Sequence, residues 1–343
     1  MMKQILSEVG RGKRGARDLS YDEARKAADL IYKREATDSQ IGAFLMAERI
    51  KMESIDELKA FIDSGTDYFK PIQFKDTINC AGPYDGRKKS FYATFPSAFV
   101  LACNDLPVTL RTAPSMPPKW GMTLLDILHN LNISIETIEI DRLLQAAKEV
   151  GVLTIPAERL FSPLHELRSI RVELGMRTLF NTVEKLINFS SSPYIVMGVF
   201  HGTVFEKMAA LIQQLGYRSG MIIQGVEGSE DLHIDRPTRT LLIHHDNSEL
   251  FIVDPEIYDM RADIPEIEWT PELQVKICEE VLQNKAHPAF ENMVVLNSAV
   301  RLYAANAVDS VEEGIYCAKR VLNDGLAYEK YKNWISLLQL IDS

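Results

Sequence analysis

The sequence predicts an α/β protein with a smaller all-α unit and a mostly parallel sheet flanked by helices. Three observations carry the prediction. The first seventy or so residues read as capped amphipathic helices. From about residue 76, short apolar runs alternate with helical stripes. A helical interlude without strand character, 165–188, then interrupts that alternation before it resumes. Strands alternating with helices imply parallel pairing, because the chain must cross back over the sheet between strands.

Each element has its own signal. Ser20–Glu23 is a Ser-x-x-Glu box before "ARKAADLIYK", and Thr37–Gln40 is a Thr-x-x-Gln box opening "IGAFLMAERIKM". Ser54–Glu57 opens "LKAFIDSG", which stops at Gly65. In such boxes the hydroxyl and the acid or amide each satisfy a backbone N–H that the first helical turn leaves free. "TINCAG", "PVTLRTA" and "VLTIPA" read as strands, separated by the helical "PSAFVLACNDL" and "TLLDILHNLNI". After the interlude come "YIVMGVFH", the helix "TVFEKMAALIQQLG", and "SGMIIQGV". "TRTLLIHHDNSELFIVDP" alternates as a hairpin, with His244 and His245 expected on a strand and facing opposite ways. "DSVEEGIYCAKRVLNDG" reads as the final capped helix.

At 343 residues the chain has the length of about two domains. Hydrophobic residues at 46% and charged residues at 25% suffice for a globular core. No segment has the length and apolarity of a membrane span, and the N-terminus lacks an apolar signal core. The cysteines, Cys80, Cys103, Cys278 and Cys317, are far apart and show no metal spacing. Free thiols of this kind are expected in a reducing cytoplasm. The net charge of −10 argues against a dedicated nucleic-acid binder, but residues 227–291 alone carry −11, leaving the remainder near neutral. Basic knots lie at Arg11, Lys13, Arg14 and Arg17, and at Arg87, Lys88 and Lys89.

The stretch "NCAGPYDGRKKSFYATFPSAF", 79–99, joins a strand to a helix through glycines, cations and hydroxyls. That is the layout of a phosphate-binding loop, in which glycine lets backbone N–H groups approach an anion closely. Pro83 removes one such donor. A plain βα loop with solvated lysines is the competing reading.

Several stretches, in chain order, resemble the anthranilate phosphoribosyltransferase family, which belongs with the pyrimidine nucleoside phosphorylases. The most specific is "RVELGMRTLFN", similar to the family's Arg-x-x-Leu-Gly-x-Arg-Thr-x-Phe-Asn segment. The N-terminal helices, "MIIQGVEGSEDLHIDRPTRT" and "NMVVLNSAVRLYAANAVDSVEEGIYCAKRVL" resemble others. The resemblance implies a small helical domain, 1–72 with 163–190, that forms a homodimer. It implies an α/β domain, 73–162 with 191–343, and an active-site cleft between the two.

It also implies roles for particular residues. Gly82, Asp85, Gly86 and Thr94 stand where the family's loop holds the donor phosphates of phosphoribosyl pyrophosphate, with Arg87 and Lys88 as possible replacements for lost backbone donors. Where the family has Lys-His-Gly-Asn-Arg, this chain has "LRTAPSMPPKWG", keeping Arg111 as a second anion contact. Arg171 matches the arginine aimed at the acceptor's carboxylate, and Glu230-Asp231 matches, in reversed order, the Asp-Glu pair that holds Mg²⁺. The missing His, Gly and Asn point to an acceptor other than anthranilate.

Two functional expectations follow. One is a phosphoribosyl or pentosyl transferase using Mg²⁺ and phosphoribosyl pyrophosphate. The alternative is a catalytically inactive member binding nucleic acid through Arg11, Lys13, Arg14, Arg17, Lys88 and Lys89.

Overall fold

The computed structural model describes residues 1–12 and 14–339. Four helices open the chain: α1 (Met2–Val9), α2 (Tyr21–Tyr32), α3 (Asp38–Lys51) and α4 (Ile55–Thr66). All three boxes form as read, with Ser20, Thr37 and Ser54 each accepting from the backbone N–H three residues on. Helix α1 is an addition to the sequence reading. Its stripe Met2, Ile5 and Val9 is buried, but eight residues are too few to show a period convincingly. Thr37→Ala should cost about 1 kcal/mol through the lost cap. The check is a lower urea midpoint at unchanged slope.

The helical interlude begins earlier than read: the segment 157–186 supplies α8 (Ala157–Leu160), α9 (Ser162–Glu166), α10 (Arg168–Leu174) and α11 (Phe180–Leu186), all of them short. Its aromatic rings enter the core of the N-terminal helices. Tyr32 meets Phe161 edge-on at 5.1 Å, and Phe61 meets Phe180 at 5.8 Å. Such contacts bury large rings in their preferred geometry and tie the two segments into one helical layer.

The sheet contains β1 (Ile78–Ala81), β2 (Val108–Thr112), β3 (Val152–Pro156), β4 (Tyr194–Gly198), β5 (Ser219–Ile223), β6 (Thr238–Ile243) and β7 (Ser248–Val253). Its order is β3-β2-β1-β4-β5-β6-β7, parallel from β3 to β5 and antiparallel through the β6–β7 hairpin. Strands β1, β3 and β5 are buried along their whole length, as expected when helices cover both faces. The cover includes α5 (Thr94–Cys103), α6 (Leu124–Asn130), α7 (Ile140–Val150), α12 (Phe205–Gln214), α13 (Pro271–Leu282), α14 (Pro288–Ala304), α15 (Val311–Asn323) and α16 (Leu326–Gln339).

Two sequence expectations change. α15 is followed by α16, whose Ala327, Tyr331, Trp334 and Leu338 form a buried stripe under a mostly polar sequence. Trp334 packs on Phe99 at 5.7 Å and donates to the Val152 carbonyl at 3.1 Å. His244 and His245 lie in the hairpin turn rather than on a strand, because β6 ends at Ile243. Among the described residues no helix is long and apolar enough to cross a membrane.

From β1 the chain winds outward to β2 and β3; β4 and β5 lie on the other side. The carboxyl ends of β1 and β4 therefore flank the point where winding reverses, and loops diverge there to leave a crevice.

Candidate active site at the switch point of the sheet

Strand β1 delivers Gly82 through Ser90 to that crevice. Gly86 has φ +73°, and a Cβ there would lie 2.2 Å from the Gly121 carbonyl oxygen, so only glycine fits. The close approach is fixed by Arg87 N–H donating to the Met122 carbonyl at 2.8 Å and the reverse bond at 2.7 Å. This pairing turns the Arg87 side chain inward. The sequence reading placed Arg87 among the loop's anion-facing cations, and this is a correction: it is buried and bonded to the protein's own acids.

Arg87 donates to Glu230 at 3.1 Å and, through its other terminal nitrogen, to Asp231; it also bonds the Phe91 carbonyl at 3.0 Å and lies 3.9 Å from the Tyr92 ring centre. A second guanidinium, Arg301 of α14, reaches Asp231 at 2.8 Å, the Glu230 carbonyl at 3.0 Å and the Asn297 side chain at 2.7 Å. Thr94 Oγ1 lies 2.7 Å from both Glu230 and Asp231, with one proton to give. It accepts from Arg301 at 2.9 Å. Burial opposes ionisation of Asp231, but Arg87 and Arg301 hold its carboxyl below the usual range.

The metal expectation at Glu230-Asp231 is tested by these contacts. Mg²⁺ takes carboxylate oxygens within a six-oxygen shell that usually keeps several waters. Here two guanidiniums neutralise the two carboxylates, and of the four carboxylate oxygens Glu230 Oε2 is the one without a partner among the described residues. That oxygen is where a Cβ on Gly82 would come, at 2.6 Å. The adjoining cavity, lined by Gly82, Thr94, Arg111 and Glu230, is small, about 30 Å³. The residues present do not fit a metal-bound pyrophosphate.

Two of the loop's backbone donors, those of Lys88 and Lys89, are also taken. Glu227 accepts from Lys88 N–H at 3.0 Å, Lys89 N–H at 2.9 Å and the Ser90 hydroxyl at 2.7 Å. Successive N–H groups of this kind form an anion-binding concavity, and the anion is the chain's own carboxylate. Glu227 adopts φ +54° to reach it. Burial pushes its carboxyl up, and these bonds pull it down further, to a net lowering.

Asp85 behaves differently. Buried at the crevice, it bonds Arg177 at 2.9 Å and Lys119 at 3.2 Å. It sits on the wall of a cleft of about 210 Å³ between the helical layer and the sheet. Arg49, Arg177, Lys185 and Lys207 line this cleft against two carboxylates, Glu53 and Asp85. Among the described residues, Arg49, Lys185 and Lys207 bond only carbonyl oxygens, those of Arg177, Gly198 and Glu53. Burial pushes Lys185 down to about 8 and lowers Lys119, against the pull of Asp85. A chain of net charge −10 has concentrated surplus positive charge in one crevice.

Of the remaining expected residues, Arg111 borders the small cavity beside Gly82, with Nε and one terminal nitrogen unpartnered among the described residues, and the others lie elsewhere. Arg171 is locked inside the helical layer, 2.6 Å from Glu184 with both side chains buried, so its guanidinium does not face an acceptor. Arg111 donates to the Glu184 carbonyl at 2.6 Å and lies near Phe189. Of the six expected nucleic-acid contacts, Arg11 pairs with Glu8, Arg17 pairs with Glu8 and Glu23, and Arg14 is exposed. Lys13 lies outside the described residues, while the Lys88 and Lys89 side chains are exposed. The sequence reading passed over Arg177, Lys185, Glu227 and Arg301. Of these, Arg177 stands in the family segment "RVELGMRTLFN" without having been assigned a site role, and Arg301 had the signal of a lone charge inside the apolar run "VVLNSAVRLYAANA", which implies a buried partner.

Comparison with known proteins agrees with this architecture. The helical bundle domain of a glycosyl transferase family matches residues 3–64, and the family's a/b domain matches residues 85–328. An anthranilate phosphoribosyltransferase from Caldicellulosiruptor saccharolyticus is 30% identical over 97% of both chains. The crystal structure of the Thermus thermophilus anthranilate phosphoribosyltransferase superposes with a TM-score of 0.81 at 21% identity, covering 98% of this chain and 99% of that one. The Saccharomyces cerevisiae enzyme, in complex with PRPP and Mg, gives 0.79 at 17% over 98% of each. With both domains matched and a relative of this identity aligned end to end, the chain belongs to the anthranilate phosphoribosyltransferase family of glycosyl transferases.

Proposed function

We propose that the protein is a phosphoribosyltransferase-type glycosyltransferase that takes a phosphorylated pentose in the cleft beside Asp85, with an acceptor other than anthranilate. The observation that carries this reading is the surplus of cations in that cleft. Arg177, Lys185 and Lys119 surround one carboxylate, two of them destabilised as charged groups by burial. An incoming phosphate relieves that imbalance. In pentosyl transfer the bond from the anomeric carbon to the leaving oxygen breaks with its electron pair going to the leaving pyrophosphate, while the acceptor's lone pair forms the new bond to that carbon and the acceptor gives up its proton to solvent. Cations already in place stabilise that developing charge. The acceptor statement rests on Arg171, whose engagement with Glu184 removes the guanidinium that the family aims at a carboxylate.

A second reading has its own observation. Glu227 and Glu230 fill the positions over the loop where donor phosphates belong, which favours a member that binds a phosphorylated ligand without turning it over. Calorimetry with phosphoribosyl pyrophosphate, ribose 5-phosphate and pyrophosphate, followed by assay of released pyrophosphate, separates the two. Binding is expected for at least one ligand, and Arg177→Met should weaken it about tenfold. No heat at millimolar ligand defeats both readings; binding without any pyrophosphate release under a range of acceptors defeats the first.

A further inference from the structure

We infer that Arg87 and Arg301 have taken over the place of a divalent cation, so that this protein's ligand binding is independent of metal. The inference goes beyond the reading above and rests on it only for the ligand arm of the test.

The geometry is that of a completed charge cluster. Glu230 and Asp231 contribute two negative charges, and Arg87 and Arg301 two positive ones, with all four side chains at most 2% exposed. Arg87 bridges the carboxylates with its two terminal nitrogens, spanning the gap that a shared cation would occupy. Arg301 and Thr94 close the other side. The guanidinium suits this role, since it stays charged at every accessible pH and presents its donors in a fixed fork. A metal ion would have to evict Arg87 into a dry interior where its other partners are the Phe91 carbonyl and the Tyr92 ring. The single carboxylate oxygen left over, Glu230 Oε2, borders a small cavity and is one ligand where Mg²⁺ takes six.

The substitution also accounts for the sequence of the loop. Arg87 follows Gly86 directly, and the tight pairing at Gly121 and Met122 aims its side chain at the acids. The charges of the cluster balance without any ligand, although Glu230 Oε2, Arg87 Nε and Arg301 Nε are without hydrogen-bond partners among the described residues, so the cation surplus beside Asp85 is left as the place for an anion.

Manganese binding, read by electron paramagnetic resonance on the full chain, tests this directly. Wild type should show no stoichiometric Mn²⁺ at millimolar concentration. Pyrophosphate affinity should change less than twofold between EDTA and Mg²⁺. Arg87→Met should gain one Mn²⁺ site per chain, and Arg87→Met/Glu230→Gln should lose it. One Mn²⁺ bound by wild type and lost in Glu230→Gln overturns the inference, as does a folded Arg87→Met that gains no site. If Arg87→Met does not fold, the wild-type and Glu230→Gln spectra decide alone. If no phosphorylated ligand binds, the proposed function fails while the manganese result still stands or falls by itself.

Discussion

Arg301→Met should lower the unfolding free energy by about 3–5 kcal/mol at pH 7, the range for removing one partner of a buried ion pair. The methionine fills much of the volume, so the loss is electrostatic. Asp231 keeps Arg87 but loses its contact at 2.8 Å, and the Asn297 side-chain oxygen and the Glu230 carbonyl lose a common donor. These groups are buried, and each unmade bond carries its desolvation penalty. The pH dependence has a definite sign. Asp231 titrates below its ordinary 3.8 in the folded chain, so its stabilisation is present above that value and lost as pH falls through the folded value. Removing Arg301 raises the folded value. The deficit of the variant should therefore be largest near neutrality and shrink in acid. Urea titrations at pH 7 and pH 3.5 provide the check. A loss under 1 kcal/mol at pH 7, or a deficit that grows in acid, contradicts the cluster as described.

That cluster also shows which parts of the molecule were legible beforehand. The three capping boxes, the parallel strands and the hairpin depend on local pattern, and each formed where its residues indicated. Helix α16 escaped because its four core residues sit among charges and amides, and only the folded partner, α5, shows which face is buried. The site was less legible for a sharper reason. Arg87, Lys88 and Lys89 are equivalent cations in the sequence. In the fold, Arg87 is interior, whereas Lys88 and Lys89 lend backbone N–H groups to Glu227 and leave their side chains in water. Nothing local separates them; the distinction comes from the pairing of Gly86 and Arg87 with residues 121–122. Likewise, Arg171 carries the family's motif, but its destination is set by Glu184, thirteen positions on, in a helix whose burial the motif does not encode. Motif position fixed where charge would be, and burial decided what it would face.

Lys185→Met should move stability and binding in opposite directions. In the folded chain burial holds this ammonium near 8, against an ordinary 10.5. The protein therefore bears the cost of a strained charge at every pH below about 8, and the cost fades as pH rises from there toward 10.5. The shift sets an upper limit of roughly 3 kcal/mol, and partial access to solvent in the cleft reduces the expected gain in the variant to about 1–3 kcal/mol. Methionine removes the charge while keeping most of the apolar stem, so Lys185→Met should melt at a higher temperature at pH 7. At pH 9.5 the advantage should shrink, because the wild-type amine is then largely neutral in the fold. Anion affinity should follow the reverse course. The ammonium is a ready partner for phosphate, and its loss should weaken pyrophosphate binding about tenfold at pH 7, with the difference narrowing above pH 8. Wild-type affinity should itself decline as pH passes through 8. This combination separates a ligand site from a structural lysine. A structural lysine loses stability when truncated and leaves anion binding unchanged, whereas a group kept for a ligand is a burden until the ligand arrives. A variant that is less stable at pH 7, or that binds pyrophosphate as wild type does, assigns Lys185 to the fold and removes it from the site.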